Sequence, residues 1–411
     1  MEQHWCVPAY SDIRKLFTLL CKEFSRLSLI RTILSPPCGH ASIYASCEGG
    51  ILPSRGVGGV DIKIIHNAHQ VYIPGAYSYT GDSYDNQIPG FMLRVPPRYV
   101  VKVLDGTYRN AGGFYEVVIL DSRNQILSEL SPDVNMPSLH RIYEDLSIRK
   151  RKTFSEPVVC LATPGARNNY FHWLLELVPK LSMVMANRLS GCSEYKYIVN
   201  GLKSNYQVRS LRSLDIASED IIWSTPGDRV TAETLIVPSH CHDFEVIPEW
   251  SVRYLETTAS QRLILQDSPL IKSSSKLFVY RSTKVRRRIV NLEDTISLLV
   301  QLGYCPVDPG NLSIEEQATI FQGAECIIAE HGAALANLVF CQKCTRLLEI
   351  FSPYWTPSCY RTLAYYKGIS YMSFIGESLA WHRNGDRSKI ARNYYLPLSP
   401  LKVFLKLHGF D

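Results

Sequence analysis

Cys326-Ile-Ile-Ala-Glu-His331-Gly-Ala-Ala-Leu-Ala-Asn337 is the stretch that decides the fold. Cys326 to Ala329 is a short apolar run with the length and flanks of a buried strand. His331 and Gly332 break the run, and Ala333 to Phe340 read as a helix. Strand, small-residue turn and helix together aim backbone N–H groups and a partial positive charge at an anion. Gly332, Ala333 and Ala334 carry little side chain, so a phosphate has room to approach the backbone. His331 falls at the carboxyl end of the strand, the edge where open α/β sheets place their ligands. An ordinary tight turn with a capping histidine fits the same twelve residues.

The flanking sequence keeps that rhythm. Leu277 to Tyr280 reads as a strand, Leu292 to Leu302 as a helix and Tyr304 to Val307 as extended chain. Helix Ser313 to Phe321 follows, opened by the capping box Ser313-Ile-Glu-Glu316, and strand Arg346 to Phe351 closes the series. This alternation predicts a doubly wound α/β sheet over 276–411. A last helix, Leu401 to Leu407, takes Ser399 as its cap and Pro400 in its first turn, and is expected to pack back on the N-terminal domain.

Upstream the character differs. Residues 9–34 have helical spacing that ends at Pro36-Pro37. From 43 to 150 the runs are β-rich: Val60 to Ile65, then Tyr99 to Leu104 and Phe114 to Leu120, the last two joined as a hairpin through Asp105-Gly106 and Gly112-Gly113. From 158 to 245 α/β character returns, with strands Val158 to Leu161, Tyr195 to Val199 and Thr234 to Val237, and a helix from Tyr170 capped by Asn169. The expected division is an N-terminal domain over 1–245, a linker region over 246–275 that includes the helix Trp250 to Leu265, and a C-terminal domain over 276–411.

A chain of 411 residues suits two domains, and 46% hydrophobic with 20% charged residues describes a folded protein. No apolar run reaches the ~18 residues that span a bilayer. The twelve cysteines lack regular spacing, and reduced thiols in a cytoplasm are the expectation. Cys341-Gln-Lys-Cys344 has no second pair to complete a zinc site and reads as a connection. A net charge of +6 suits an anionic ligand or membrane surface.

Two constellations carry chemistry. Arg281, Lys284, Arg286, Arg287 and Arg288 follow a strand end, so Arg281 and one of the later arginines are candidates to share a phosphate with the His331 turn. A solvated basic face and a nucleic-acid contact are the alternatives, and no recognisable nucleic-acid-binding pattern supports the latter. No Asp-x-Asp occurs to hold a metal on a departing diphosphate, and arginines with a helix terminus supply equivalent stabilisation. The Walker pattern and the G-x-G-x-x-G fingerprint are also absent. In Asn168-Asn-Tyr-Phe-His172-Trp-Leu-Leu-Glu176, His172 and Glu176 share a helix face. The helix start favours a neutral His172 imidazole, the form a general base requires. Asp243 is a weaker candidate, and Glu349, at a strand end, is a candidate to accept ribose hydroxyls.

Asn169-Tyr-Phe-His172-Trp with Glu176 and Pro179 resembles the "NYFHWL-E-P" signature of glycosyltransferase family 61. Tyr280-Arg281 with Arg287 and Asn291 is similar to its "R…RR-N" element. Gln317, His331-Gly332-Ala333 with Asn337, and Glu349 continue the resemblance in order over 160–352. Ala334, Ala336 and Leu292 depart from the family's glycine, threonine and acid. The resemblance implies an inverting glycosyltransferase of GT-B fold, two Rossmann-like domains facing a cleft, with no metal or other cofactor. On that basis His331, Gly332, Ala333 and Ala334 contact the donor diphosphate, Arg281 and Arg287 neutralise it, and Asn337 and Glu349 serve the nucleotide. His172 and Glu176 face the acceptor, with Asp243 in reserve as base. The implied partners are a nucleotide-sugar donor and a glycan or lipid-linked saccharide acceptor, and no nucleic acid. Lacking a membrane anchor, the chain resembles the bacterial branch tied to capsule or lipopolysaccharide assembly. That places it in the cytoplasm, peripheral to the inner face of the membrane. A non-catalytic nucleotide-sugar or glycan-binding protein, and a nucleic-acid-binding protein, remain the other readings.

Overall fold

The computed structural model describes residues 40–41, 44–47, 50–53, 59–81, 83, 86–112, 116–132, 150–186, 195–240, 246–264, 275–281, 287–379 and 392–411. The helix expected over 9–34, together with Asp243, Lys284 and Arg286, lies outside them. The chain forms two compact units. The first comprises 1–67, 97–203 and 216–240, the second 68–96, 204–215 and 241–411. Segments 68–96 and 204–215 thus belong with the C-terminal part, where the sequence reading had drawn a continuous division.

The second unit holds a seven-stranded sheet in the order Cys305–Val307, Lys276–Val279, Cys326–Glu330, Arg346–Phe351, Ser370–Ile375, Ala76–Tyr79, Asn86–Ile88. All neighbours run parallel except the last pair. Numbering the five C-terminal strands along the chain gives the spatial order 2-1-3-4-5, a doubly wound arrangement whose direction of winding reverses between the first strand and the third. Cys326–Glu330 is buried along its whole length because helices cover both faces, which is why it reads as a continuous apolar run. Leu277, Ile327 and Leu347 have no exposed surface, and Phe278, Ile328, Leu348, Ile350 and Phe374 fill the opposite face.

The helix Ile314–Gly323 carries the expected reciprocal cap, Ser313 Oγ accepting from Glu316 N–H and the Glu316 carboxylate from Ser313 N–H. One reading needs correction here. The last helix is Leu398–Leu407, preceded by Pro397, so Ser399 sits inside its first turn and is not the cap. Its Leu401, Phe404 and Leu405 pack into the second unit's own core with Phe278 and Phe374. The final helix therefore closes the C-terminal sheet.

The first unit is built on a ten-stranded mixed sheet. Its parallel section runs Asp228–Pro238, Val158–Cys160, Lys196–Asn200, Ile221–Ser224. Arg98–Arg109 pairs antiparallel with Asp228–Pro238, and Val118–Leu120 with Arg98–Arg109. The expected hairpin exists, but Asp105-Gly106 is not its turn. The strand continues through that dipeptide to Arg109, with Asp105 at φ 50° as a local kink. Gly106 is required because a Cβ there would lie 2.8 Å from the Leu235 Cβ of the neighbouring strand.

Candidate functional site

In the second unit the winding reversal brings together the ends of Lys276–Val279 and Cys326–Glu330, which pair in register Val279 to Ala329. The chain leaves the first strand at Arg281 and the second at His331, so the two residues meet at one sheet edge, as their places in the sequence predicted. The Arg281 guanidinium donates through Nη2 to the His331 carbonyl. Its backbone N–H donates to Glu330 Oε1 at 3.1 Å. Gly332 has an extended backbone, φ 179°, that any residue adopts. Its glycine is explained by Arg281: a Cβ there would lie 2.7 Å from Nε and 2.9 Å from Cζ. The room opened by the missing side chain is thus taken by the arginine itself, while Ala333 and Ala334 remain half-buried beyond it. The following helix, Ala333–Phe340, is a 3₁₀ helix, and its first N–H groups have no acceptor within the helix.

His331 is held from behind. Its Nδ1 lies 2.6 Å from Glu349 Oε1, and the Tyr371 hydroxyl donates to Glu349 Oε2 at 2.7 Å. The ring stacks on Phe351 at 5.2 Å and tilts against Tyr360 at 5.3 Å. Glu349 has no exposed surface, and its carboxylate lies between the His331 ring and the Tyr371 hydroxyl. Asn337 is likewise fully buried. Its amide donates to Gln317 Oε1 at 2.8 Å and to the Ala334 carbonyl at 3.0 Å, while Gln317 holds the carbonyls of Pro309 and Leu312. Asn337 therefore ties the turn to the helix that carries Gln317.

The electrostatics favour an anion. Arg287 has a left-handed backbone, φ 62°. Burial, then the charge of Arg281 beside it, pushes its guanidinium down to about 10. A buried arginine held down by a neighbouring arginine marks a site that favours negative charge. Glu330 is the group the sequence reading missed. Its strand extends one residue past Ala329, so the carboxylate turns back into the core and is only 4% exposed. Burial raises it to about 7 against the opposing effects of the Arg281 N–H and charge, the Tyr394 hydroxyl at 3.4 Å and Arg287. Tyr394 is delivered by Asn291, whose side chain clasps both the N–H and the carbonyl of Leu396.

In the first unit, Asn169 caps its helix as expected, accepting from Phe171 N–H at 3.0 Å. The helix widens to a π-turn over Trp173–Leu177, a feature common at functional sites. His172 Nδ1 lies 2.8 Å from Glu176 Oε1, Glu176 being buried and His172 keeping 31% of its side-chain surface. Burial pushes His172 down, but the Glu176 hydrogen bond and charge, with that of Glu116, outweigh it and leave the imidazole raised.

Cys341 is buried, its thiol pushed up by burial to about 12, while Cys344 is exposed, so the C-x-x-C is a connection with two unlike thiols. Among the described residues no group of three His, Cys, Asp or Glu side chains has the geometry to hold a metal. No helix among them is long and apolar enough to cross a membrane.

A mixed α/β chain with an arginine-lined sheet edge and an imidazole–carboxylate pair has the parts of a group-transfer enzyme acting on a phosphorylated substrate. Residues 170–348 match the family model described as Glycosyltransferase 61. The match begins at the Tyr170 helix and ends within the strand that carries Glu349, and it supports a glycosyltransferase of that family. No curated protein matches the chain.

Proposed function

We propose that the protein is an inverting, metal-independent glycosyltransferase. It moves a hexosyl or pentosyl unit from a nucleotide-sugar to a hydroxyl of a glycan or lipid-linked acceptor. The observation that carries the reading is the meeting of Arg281 and His331 at the winding reversal, with Arg287 held nearby in a site short of negative charge. In a GT-B division of labour the second unit takes the donor and the first the acceptor. Arg281, Arg287, His331 and the N–H groups of Ala333 and Ala334 receive the diphosphate. His172 is the base, its Nδ1 oriented by Glu176, which leaves proton exchange to Nε2. Asp243 stays in reserve.

The acceptor oxygen loses its proton to His172 and attacks the anomeric carbon as the bond to the diphosphate oxygen breaks. The nucleoside diphosphate leaves with that electron pair into the arginine cluster. The absence of Asp-x-Asp from the sequence supports charge stabilisation by arginine. The basic excess of the chain supports work at the inner face of a membrane in surface-polysaccharide synthesis.

A thermal-shift screen against nucleoside diphosphates and nucleotide sugars tests the donor side, because a ligand of the folded state raises Tm. A flat response to all of them counts against the proposal. Transfer by purified protein separates an enzyme from a mere binder, and wild-type single turnover by His172→Ala would remove His172 as base.

A further inference from the structure

We propose that Glu116 is a positioning residue for His172, seating the imidazole through Gly165 and supplying it with a second carboxylate. The inference rests on the reading of His172 as base and adds a residue from a part of the chain that carries no family motif.

Gly165 is the contact point. It has a left-handed backbone, φ 78°, and the His172 ring rests on its Cα so closely that a Cβ would lie 2.6 Å from Cδ2 and 3.0 Å from Nε2. The backbone N–H of the same glycine donates to the Glu116 carboxylate. A movement of that carboxylate is thus a movement of the surface on which the imidazole lies. Glu116 is itself fixed. It is 6% exposed, and Asn200 Nδ2 donates to its Oε2 at 2.7 Å. The same Asn200 amide donates to the Thr163 carbonyl at 2.7 Å, while Asn200 Oδ1 accepts from Thr163 N–H at 2.9 Å. At its other end the Glu116 carbonyl accepts from the fully buried Tyr108 hydroxyl at 2.9 Å. Asn200 terminates a parallel strand, so the device hangs from the rigid sheet and not from a loop.

Among the described residues, the charges that act on His172 include Glu176 on its own helix and Glu116 across the 163–165 turn, with Arg167 acting on Glu116. Burial raises the Glu116 carboxyl, and the Asn200 and Gly165 hydrogen bonds, with Arg167 and His172, oppose that rise. Ionised, Glu116 favours the imidazolium that forms when His172 takes a proton. Glu176 orients the ring from Nδ1, whereas Glu116 fixes its face, and the two act on different degrees of freedom.

The test is the titration of the His172 ring by NMR in the full-length protein, assigned against His172→Gln, in wild type, Glu116→Gln and Glu116→Asp. It is paired with the pH dependence of kcat/KM for transfer. Glu116→Gln keeps one acceptor oxygen but loses the charge. Its His172 is expected to titrate at lower pH than wild type, with the acid limb of the rate profile displaced by the same amount. Glu116→Asp keeps the charge but withdraws it by one methylene. It is expected to titrate between the two, with kcat reduced more than KM is changed. A His172 titration unaltered in Glu116→Gln overturns the proposal. So does a Glu116→Asp protein indistinguishable from wild type in both measurements, which keeps the test decisive if the glutamine variant fails to fold. A displaced titration with an unmoved rate profile upholds the Glu116–His172 coupling and instead removes His172 as base.

Discussion

Replacing Gly332 by alanine isolates the contribution of Arg281 without touching it. The backbone at Gly332 is extended, so alanine carries no conformational penalty there. The added Cβ would lie 2.7 Å from Arg281 Nε and 2.9 Å from Cζ, distances no carbon tolerates, so the guanidinium must leave. Because the displaced group is the end of a long side chain, the fold loses about one hydrogen bond, roughly 0.5–1.5 kcal/mol. Anion binding loses more. A charge-assisted hydrogen bond is worth about 1.5–3 kcal/mol, which is about a 10- to 150-fold weaker Kd. Isothermal titration with whichever nucleoside diphosphate binds the wild-type protein reads that loss, beside a melting curve that reads the fold. Arg281→Ala serves as the second edge of a double-mutant cycle: if both changes act through one guanidinium, the double variant is no weaker than Arg281→Ala alone. Affinity within twofold of wild type in Gly332→Ala, or full additivity in the cycle, would refute the reasoning.

Three further outcomes follow from the same geometry. Moving the Glu330 carboxyl from 4.5 to about 7 makes its ionisation cost on the order of 3 kcal/mol in the fold. Between those pH values the folded state holds a proton that the unfolded state has released, so stability falls as pH rises through the window. Glu330→Gln should therefore gain most in denaturant melts above about pH 7 and little below 4.5, and a pH-independent gain would contradict the assignment. Asn337→Ala strands the Gln317 Oε1 acceptor in the core and should cost about 1–3 kcal/mol. Its loss of stability should exceed its loss of diphosphate affinity, and the reverse order would make Asn337 a ligand contact after all. Glu349→Gln removes the charge behind His331 while keeping an acceptor for Tyr371. It should weaken diphosphate affinity by about 0.5–1.5 kcal/mol by loosening His331, and unchanged affinity in isothermal titration would show that Glu349 does not govern that ring.

The sequence carried the sheet edge well, for a physical reason. A parallel strand buried on both faces is a continuous apolar run, and the residue that ends it is marked by its polarity, so Arg281 and His331 were legible as a pair. Glu330 was read over because the same logic stops the strand at the last apolar residue, Ala329. Nothing local signals that a carboxylate will be turned inward against two arginines and Tyr394. Glu349 and Asn337 were legible as positions but not as fully buried residues, since burial of a polar side chain leaves no mark in one dimension. Glu116 had no signal at all. Its meaning comes from Asn200 and Gly165, and neither partner is near it in the chain. Asp105-Gly106 failed in the other direction. It has turn chemistry, but long pairing with Asp228–Pro238 carries the strand through it.

The strands Ala76–Tyr79 and Asn86–Ile88 complete a sheet whose other five members lie beyond residue 275. Ser78 Oγ accepts from Ser373 Oγ across 295 residues of chain. During synthesis these two strands emerge early and must wait for their partner until nearly all of the protein has been made. In that interval Tyr77 and Tyr79 have no sheet to join, and closing so long a loop slows the step that ends the wait. A fragment beginning at the linker would leave Ser370–Ile375 as a bare edge, the kind of edge that pairs with a stranger. For whoever expresses this protein, the C-terminal half is not a detachable module: its last seam is sewn with thread from the first quarter of the chain.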